Sequence, residues 1–242
     1  MLLAVVGTLA VLGGYKLLAM SSAFAVDHVT VSGAPPMLER QIAATVQAAA
    51  GGHNLLTVDR GAIASQLRRY PYVRSVTVDR AFPHTLSISV QVEHPAVVVT
   101  AGKDDYLVSA DGRVLELRHA PPAGIPAVHL PAGTSLTVGR QSGDANLHAA
   151  LAVLAQAPQS FRSTVGRISG LTAQSGMVSA LIGKHITLRL GTPSDLGLKL
   201  AVVQRVMHHV TRAQRSELAY IDVSAPSRPA YGLRSTLPST GG

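Results

Sequence analysis

Eight residues, TLSISVQV at Thr85–Val92, restrict the possible folds more than any other part of the chain. Leu86, Ile88, Val90 and Val92 fall on one side of an extended backbone, and Ser87, Ser89 and Gln91 on the other. A period of two with one apolar side marks a strand whose one face is buried and whose other face is wet. A second alternating run, VTVDR, precedes it across a tight break at Phe82-Pro83-His84. The pair reads as a hairpin, and its sheet must be covered on one side only.

The text before the hairpin supplies the cover. In FAVDHVTVSGAPP, Val26, Val29 and Val31 predict a short strand that ends at Gly33. From Met37 the period changes: Leu38, Ile42, Thr45, Val46 and Ala49 recur at helical spacing until Gly51-Gly52. HNLLTVD is a linking turn that offers Leu55, Leu56 and Val58 to a core. A second helix is predicted over 60–69, with Ile63 and Leu67 inward, and Pro71 prevents its continuation. The order is strand, helix, helix, strand, strand. Two helices can cover one face of a three-stranded sheet, as the alternation demands.

Ahead of this unit, the first residues are apolar apart from Lys16 and approach the length of a membrane span. The rival is a cleaved signal peptide, for which Ala23-Phe24-Ala25 offers a small-x-small site. No Lys or Arg precedes the apolar run, and the run continues on both sides of Lys16, which favours an uncleaved anchor. The mass of the chain follows the span, so a short inside end and a large outside part are expected.

Beyond the hairpin, Tyr106-Leu107-Val108 and Val114-Leu115 flank an Asp111-Gly112 turn. PPAGIPAVHLP reads as a proline-rich surface connection. DANLHAALAVLAQ predicts a helix capped at Asp144 and ended before Pro158. MVSALIG and HITLRLG predict another hairpin around Gly183-Lys184. A helix begun near Ser194 or Asp195 carries Leu196, Leu200, Val203 and Val206 on one face, and AYIDV is a short strand. The tail RSTLPSTGG has the composition of a disordered segment.

Composition argues against several kinds of chemistry. With no Cys, disulfides and thiolate metal sites are excluded. Lys and Arg outnumber Asp and Glu by 21 to 13, but the basic residues are spread out and aromatics make up only 4%. That suits an anionic setting such as lipid headgroups or wall polymers better than stacked nucleic-acid bases. Ten histidines are scattered, and His208-His209, the one adjacent pair, diverge around a helix rather than chelate. No acyl-transfer serine motif or phosphate-binding glycine loop occurs. Asp104-Asp105 read as a solvated turn rather than a general acid and base. Neither a catalytic site nor a cofactor is expected.

Taken in order, these pieces resemble the FtsQ/DivIB family of bacterial cell-division proteins. FAVDHVTVSG behind the apolar segment carries the resemblance first, then Asn54, Leu55, Leu56 and Asp59 in NLLTVD. It continues through Pro71, Val73, Val76, Val78, Arg80, Pro83, Leu86, Ile88, Val90, Glu93 and Pro95. Phe82 stands where the family more usually has Trp. Gly191 and Lys199 in HITLRLGTPSDLGLKLAVVQRVM, followed by YIDVSAP, extend the likeness to about Gly232.

The resemblance implies an α+β chain: a transmembrane anchor at 1–23, a β-α-α-β-β POTRA domain at 24–94, a mixed or antiparallel β-sheet domain with two or more helices at 95–232, and a disordered tail at 233–242. It further implies a single-pass scaffold in the cytoplasmic membrane, enriched at the division septum, whose large C-terminal part lies outside the cytoplasm. Such a scaffold holds FtsB/DivIC-like and FtsL-like partners and serves the septal wall synthase indirectly. No nucleic acid or small-molecule substrate is implied. Carried over by position, the partner-binding strand falls on Tyr220, Ile221, Asp222, Val223 and Ser224, followed by Ala225, Ser227 and Arg228. An unpaired sheet edge would let backbone groups receive a partner strand there. Ser224-Ala225 replace an Arg-Tyr pair of some relatives, and Pro226 and Pro229 should stop added pairing near Val223. Two other readings stay open: a POTRA-type secretion or assembly chaperone, and an exported hydrolase.

Overall fold

The computed structural model describes residues 22–120, 122, 124–157, 161 and 168–234. They fall into two compact units, one ending at Glu93 and one beginning at His94.

The first unit opens with a 3-10 turn at Ser22–Phe24. It continues as β1 (His28–Ser32), α1 (Pro36–Ala50), α2 (Arg60–Leu67), β2 (Val73–Ala81) and β3 (Thr85–Val92). The sheet order is β1-β3-β2, with β1 parallel and β2 antiparallel to β3. Leu86, Ile88 and Val90 point into a core with Ile42 and Val46 of α1 and Ile63 and Leu67 of α2. Val92 is only half-buried. Two positions on α1 depart from the periodic reading. Ala49 is exposed while Ala50 is buried, and Thr45 is half-buried, with its hydroxyl 2.7 Å from that of Tyr70. Asp59 caps α2 by accepting the Ala62 N–H at 3.0 Å. Arg80 donates through Nη2 to the Leu56 and Val58 carbonyls, both at 3.1 Å, which fastens the linking turn to the sheet.

The second unit is a mixed sheet of nine described strands. These are β4 (Pro95–Ala101), β5 (Asp104–Ser109), β6 (Val114–Arg118), β7 (Ala127–Leu130), β8 (Ile168–Gln174), β9 (Met177–Ile182), β10 (Ile186–Gly191), β11 (Leu218–Asp222) and β12 (Ala230–Leu233). The helices whose full extent is described are α3 (Ala145–Gln156), α4 (Leu196–His209) and the short α5 (Arg212–Glu217). The spatial order is β12-β11-β10-β9-β8-β7-β4-β5-β6, with β4/β7, β7/β8 and β10/β11 parallel. Register alignment shows the one-sided cover directly. Val99, Val128, Leu171, Ala180, Leu188 and Ile221 form one cross-strand row, each 2% exposed or less. They pack with Leu147 and Val153 of α3 and Leu200 and Val203 of α4. One residue along each strand, the row Thr100, His129, Thr172, Ser179, Arg189, Asp222 is polar and unburied.

Several expectations need correction here. The proline-rich connection contains β7, a strand inside the sheet whose Val128 is wholly buried. Asp104 and Asp105 begin β5 rather than a loop, and Asp105 Oδ1 accepts the Thr100 hydroxyl at 2.7 Å. On α4, Val206 is half-buried while Met207 and Lys199 are buried. Leu233, first residue of the expected tail, is the last residue of β12. The apolar segment expected to span a membrane lies, up to residue 21, outside the described residues, as does the tail from 235. No helix among the described residues is long and apolar enough to cross a membrane.

Candidate docking edge

The residues expected to receive a partner strand lie on β11 and the turn after it, and β11 is not an edge. It is held in parallel by β10 and covered in antiparallel by β12, through Tyr220↔Gly232, Ile221↔Tyr231 and Asp222↔Ala230. Ile221 and Val223 are fully buried in the core, and the Val223 N–H donates to the Arg189 carbonyl at 2.9 Å. Among the described residues the outermost strand at this end is β12. Pro226 and Pro229 do interrupt extended pairing after Val223. The interruption is a turn, closed by Arg228 N–H donating to the Ala225 carbonyl at 2.9 Å, that sends the chain back along β11. Ser224, Ala225, Ser227 and Arg228 are exposed on this turn.

The two remaining expected residues, Tyr220 and Asp222, lie on the wet face and build a small polar platform. The Arg189 guanidinium sits 4.5 Å from the centre of the Tyr220 ring and 3.9 Å from Asp222 Oδ2. Asp222 Oδ1 accepts the Ser224 hydroxyl at 2.6 Å and the Ser224 N–H at 3.0 Å, which fixes the start of the turn. The Tyr220 ring also extends over the neighbouring strand. A Cβ added at Gly232 would lie 2.4 Å from Tyr220 Cε1, so the ring occupies the space a side chain would need. The ring thus covers a glycine that would otherwise leave the edge strand bare on that face. On the opposite face of β12, Tyr231 continues the buried row but is 46% exposed, because no further strand or helix among the described residues shields it.

Lys199 sets the geometry beneath this edge. It is 2% exposed, and its Nζ donates to the carbonyls of Leu190 at 2.8 Å and Thr192 at 2.7 Å. The ammonium therefore ties the first turn of α4 to the end of β10. There Gly191, at φ +66°, passes so close to Ser224 that a Cβ would lie 2.9 Å from the Ser224 Cβ. Gly191 thus leaves room for the turn that begins at Ser224 to pass beside the end of β10.

Reading the sequence missed β12 as an element. AYGL has no apolar alternation, and its strand character comes from pairing with β11 and from the Tyr220 ring. The spacing of two short runs about a proline-bounded turn was the available signal. Elsewhere in this unit a cavity of about 610 Å³ is lined by Ala96, Ala110, Pro126, Leu151, Leu154, Ala155, Ala157 and Ile168, none of them ionisable. Among the described residues no group of three or more His, Asp or Glu side chains could hold a metal ion.

Comparison with known proteins agrees with this two-unit division. Residues 24–93 match the family model for the POTRA domain, FtsQ-type, and residues 96–224 match that for cell division protein FtsQ/DivIB, C-terminal. The second match stops before β12. The chain is 27% identical over 223 residues to a cell division protein FtsQ of Streptomyces venezuelae, covering 92% of this chain and 79% of that one. It is 28% identical over 213 residues to the Streptomyces griseus protein of the same name, covering 87% and 98%. It is also 28% identical over 170 residues to that of Neisseria meningitidis serogroup B, covering 70% and 66%.

Proposed function

From the premise that the chain belongs to the FtsQ/DivIB family of cell-division proteins, we propose that it is a single-pass membrane scaffold of the septal machinery. In this reading residues 1–23 form the anchor in the cytoplasmic membrane. The POTRA unit (24–94) and the β-sheet unit (95–232) stand outside the cytoplasm at the septum, and 233–242 form a tail. The scaffold acts by holding membrane-proximal partners of the FtsB/DivIC and FtsL type, and through them the septal wall synthase. It offers backbone and shape, and makes or breaks no bond.

The observation that carries the reading is the position of β12. It is the outermost described strand of a sheet whose other strands are paired on both sides at this end. An outermost strand keeps half of its N–H and C=O groups directed away from its neighbour, and these can accept an added strand. Tyr231 supplies an exposed ring where such a strand would lie, and the Arg189–Tyr220–Asp222 platform flanks it on the other face. In this reading the partner strand lies against β12 rather than against Tyr220–Val223, while Ser224, Ala225, Ser227 and Arg228 border it on the turn.

Binding of the chain's ectodomain to FtsB-like ectodomains tests this. Tyr231→Asp, in a protein whose thermal unfolding is unchanged, is expected to weaken binding at least tenfold by placing a charge in the contact. In cells the fluorescent fusion should form a mid-cell band. Unchanged affinity in the folded variant, or uniform envelope fluorescence, contradicts the proposal.

A further inference from the structure

The tip of the β2–β3 hairpin lies where the chain enters its first unit. The entering segment is clamped from two sides. From the hairpin, the His84 carbonyl accepts the N–H groups of Asp27 at 3.0 Å and His28 at 3.1 Å. His84 Nδ1 donates to the Ala25 carbonyl at 3.2 Å, and the same atom lies 3.6 Å from Asp27 Oδ2. From the turn after α1, the Leu55 N–H donates to the Phe24 carbonyl at 2.7 Å, and the Val26 N–H donates to the His53 carbonyl at 2.9 Å. These contacts fix the tip beside Phe24, and the rings of Phe24 and Phe82 meet edge to face with centroids 5.7 Å apart. Phe82 is nevertheless 55% exposed. Two of the three phenylalanines in the chain thus share one corner of the POTRA unit, and one of them faces outward.

The position of this corner along the chain limits what can cover it. The apolar N-terminal text runs to Met20, and Phe24 follows within four residues. At no more than roughly 3.5 Å per residue, and only about 2 Å across the 3-10 turn Ser22–Phe24, Phe24 lies within about 11 Å of the end of the apolar run. The headgroup layer on each side of a bilayer is roughly 5–8 Å deep. Trp and Tyr are enriched in that layer, and an exposed Phe ring leaves water at its inner boundary, where the Trp, Phe and Leu side chains of interfacial helices also lie.

We propose that Phe82, paired with Phe24 at the β2–β3 hairpin tip, rests in the headgroup region of the membrane and sets the POTRA unit against the bilayer surface. The occupant of this exposed aromatic corner is the lipid interface itself. This inference rests on the anchor reading of residues 1–23. The two aromatic side chains and the Phe24–Leu55 and His84–Asp27 backbone bonds act as a collar that limits how the first unit can tilt on its anchor.

The chain contains no Trp, so Phe82→Trp gives a single tryptophan, at the tip, whose emission can be excited apart from that of the six tyrosines. The full chain carrying this change is reconstituted alone into phosphatidylcholine–phosphatidylglycerol vesicles and floated on a gradient. Flotation, a blue-shifted emission and loss of roughly half the intensity when the lipids carry bromine near the top of the acyl chain are the expected results. Flotation with solvent-like emission that brominated lipid leaves unchanged overturns the tip contact and leaves the anchor standing. Failure to float overturns the anchor and the tip contact with it. Should the Trp variant not fold, Phe82→Cys, the sole cysteine it would create, carries a nitroxide. Its accessibility to oxygen must then exceed its accessibility to a water-soluble nickel chelate, and the reverse order overturns the inference.

Discussion

The hairpin tip of the first unit and the outer strand of the second are both exposed, but they expose different things. At the tip the carbonyls of His84 and Phe24 already accept backbone hydrogen bonds, and what stands open is one aromatic face. At β12 the side of Ala230 to Gly232 turned away from β11 is bordered by no further described strand. Two residues of β12 carry little or no side chain, Ala230 and Gly232 beneath the Tyr220 ring, while Tyr231 between them is exposed. An aromatic face without directed polar groups suits a surface that is apolar and disordered in detail, such as a lipid interface. A row of backbone donors and acceptors suits another strand. Which partner a surface takes thus depends on whether its backbone has already been satisfied.

That contrast can be broken by mutation, and the largest effects should appear beneath β12. Lys199→Ala leaves the buried carbonyl of Leu190 and the partly buried one of Thr192 without their donor and should destabilise the second unit by roughly 3 kcal/mol in urea unfolding. It should leave emission from a Trp at position 82 unchanged. Next in size, Gly232→Ala forces a Cβ against the Tyr220 ring and should cost about 2 kcal/mol and loosen β12. Adding Tyr220→Ala removes the obstacle, so the double variant should recover about 1 kcal/mol relative to the sum of the single changes. Additivity in that cycle would remove the ring from the account.

The tip should be more forgiving. Phe82→Ala loses one edge-to-face contact on a ring that is already more than half exposed, and should cost about 1 kcal/mol or less in the first unit. Smallest of all, Arg189→Ala removes an exposed ion pair and a ring contact worth about 0.5 kcal/mol together in water. Its effect should appear instead in partner binding, if the platform borders the added strand.

The same two regions show what could be read from the sequence. The hairpin was legible because β2 and β3 are neighbours in the chain and β3 carries a clean alternation, so period and pairing partner come from one stretch of text. Asp144 as a helix cap was legible for the same reason, since it acts within three residues of itself. β7 was not. It is four residues between Pro126 and Pro131, and it is a strand only because β4 and β8 pair with it in parallel from far along the chain. β12 escaped because a glycine and a tyrosine that belong to different faces give no period. Lys199 stood out only through the family resemblance, and the close approach of two carbonyls accounts for its burial. The expected docking residues were displaced by one strand for a related cause. Sequence placed Tyr220–Val223 at the end of the sheet, but could not show that the chain turns at Ser224–Pro229 and covers that strand itself.

Amide hydrogen exchange, followed with and without saturating FtsB-like ectodomain, tests the central claim most directly. The account expects peptides spanning Ala230–Leu233 to gain protection while those spanning β6, the outermost described strand at the far end of the same sheet, stay unchanged. Protection gained elsewhere, with exchange across Ala230–Leu233 unaltered in the bound protein, would contradict it.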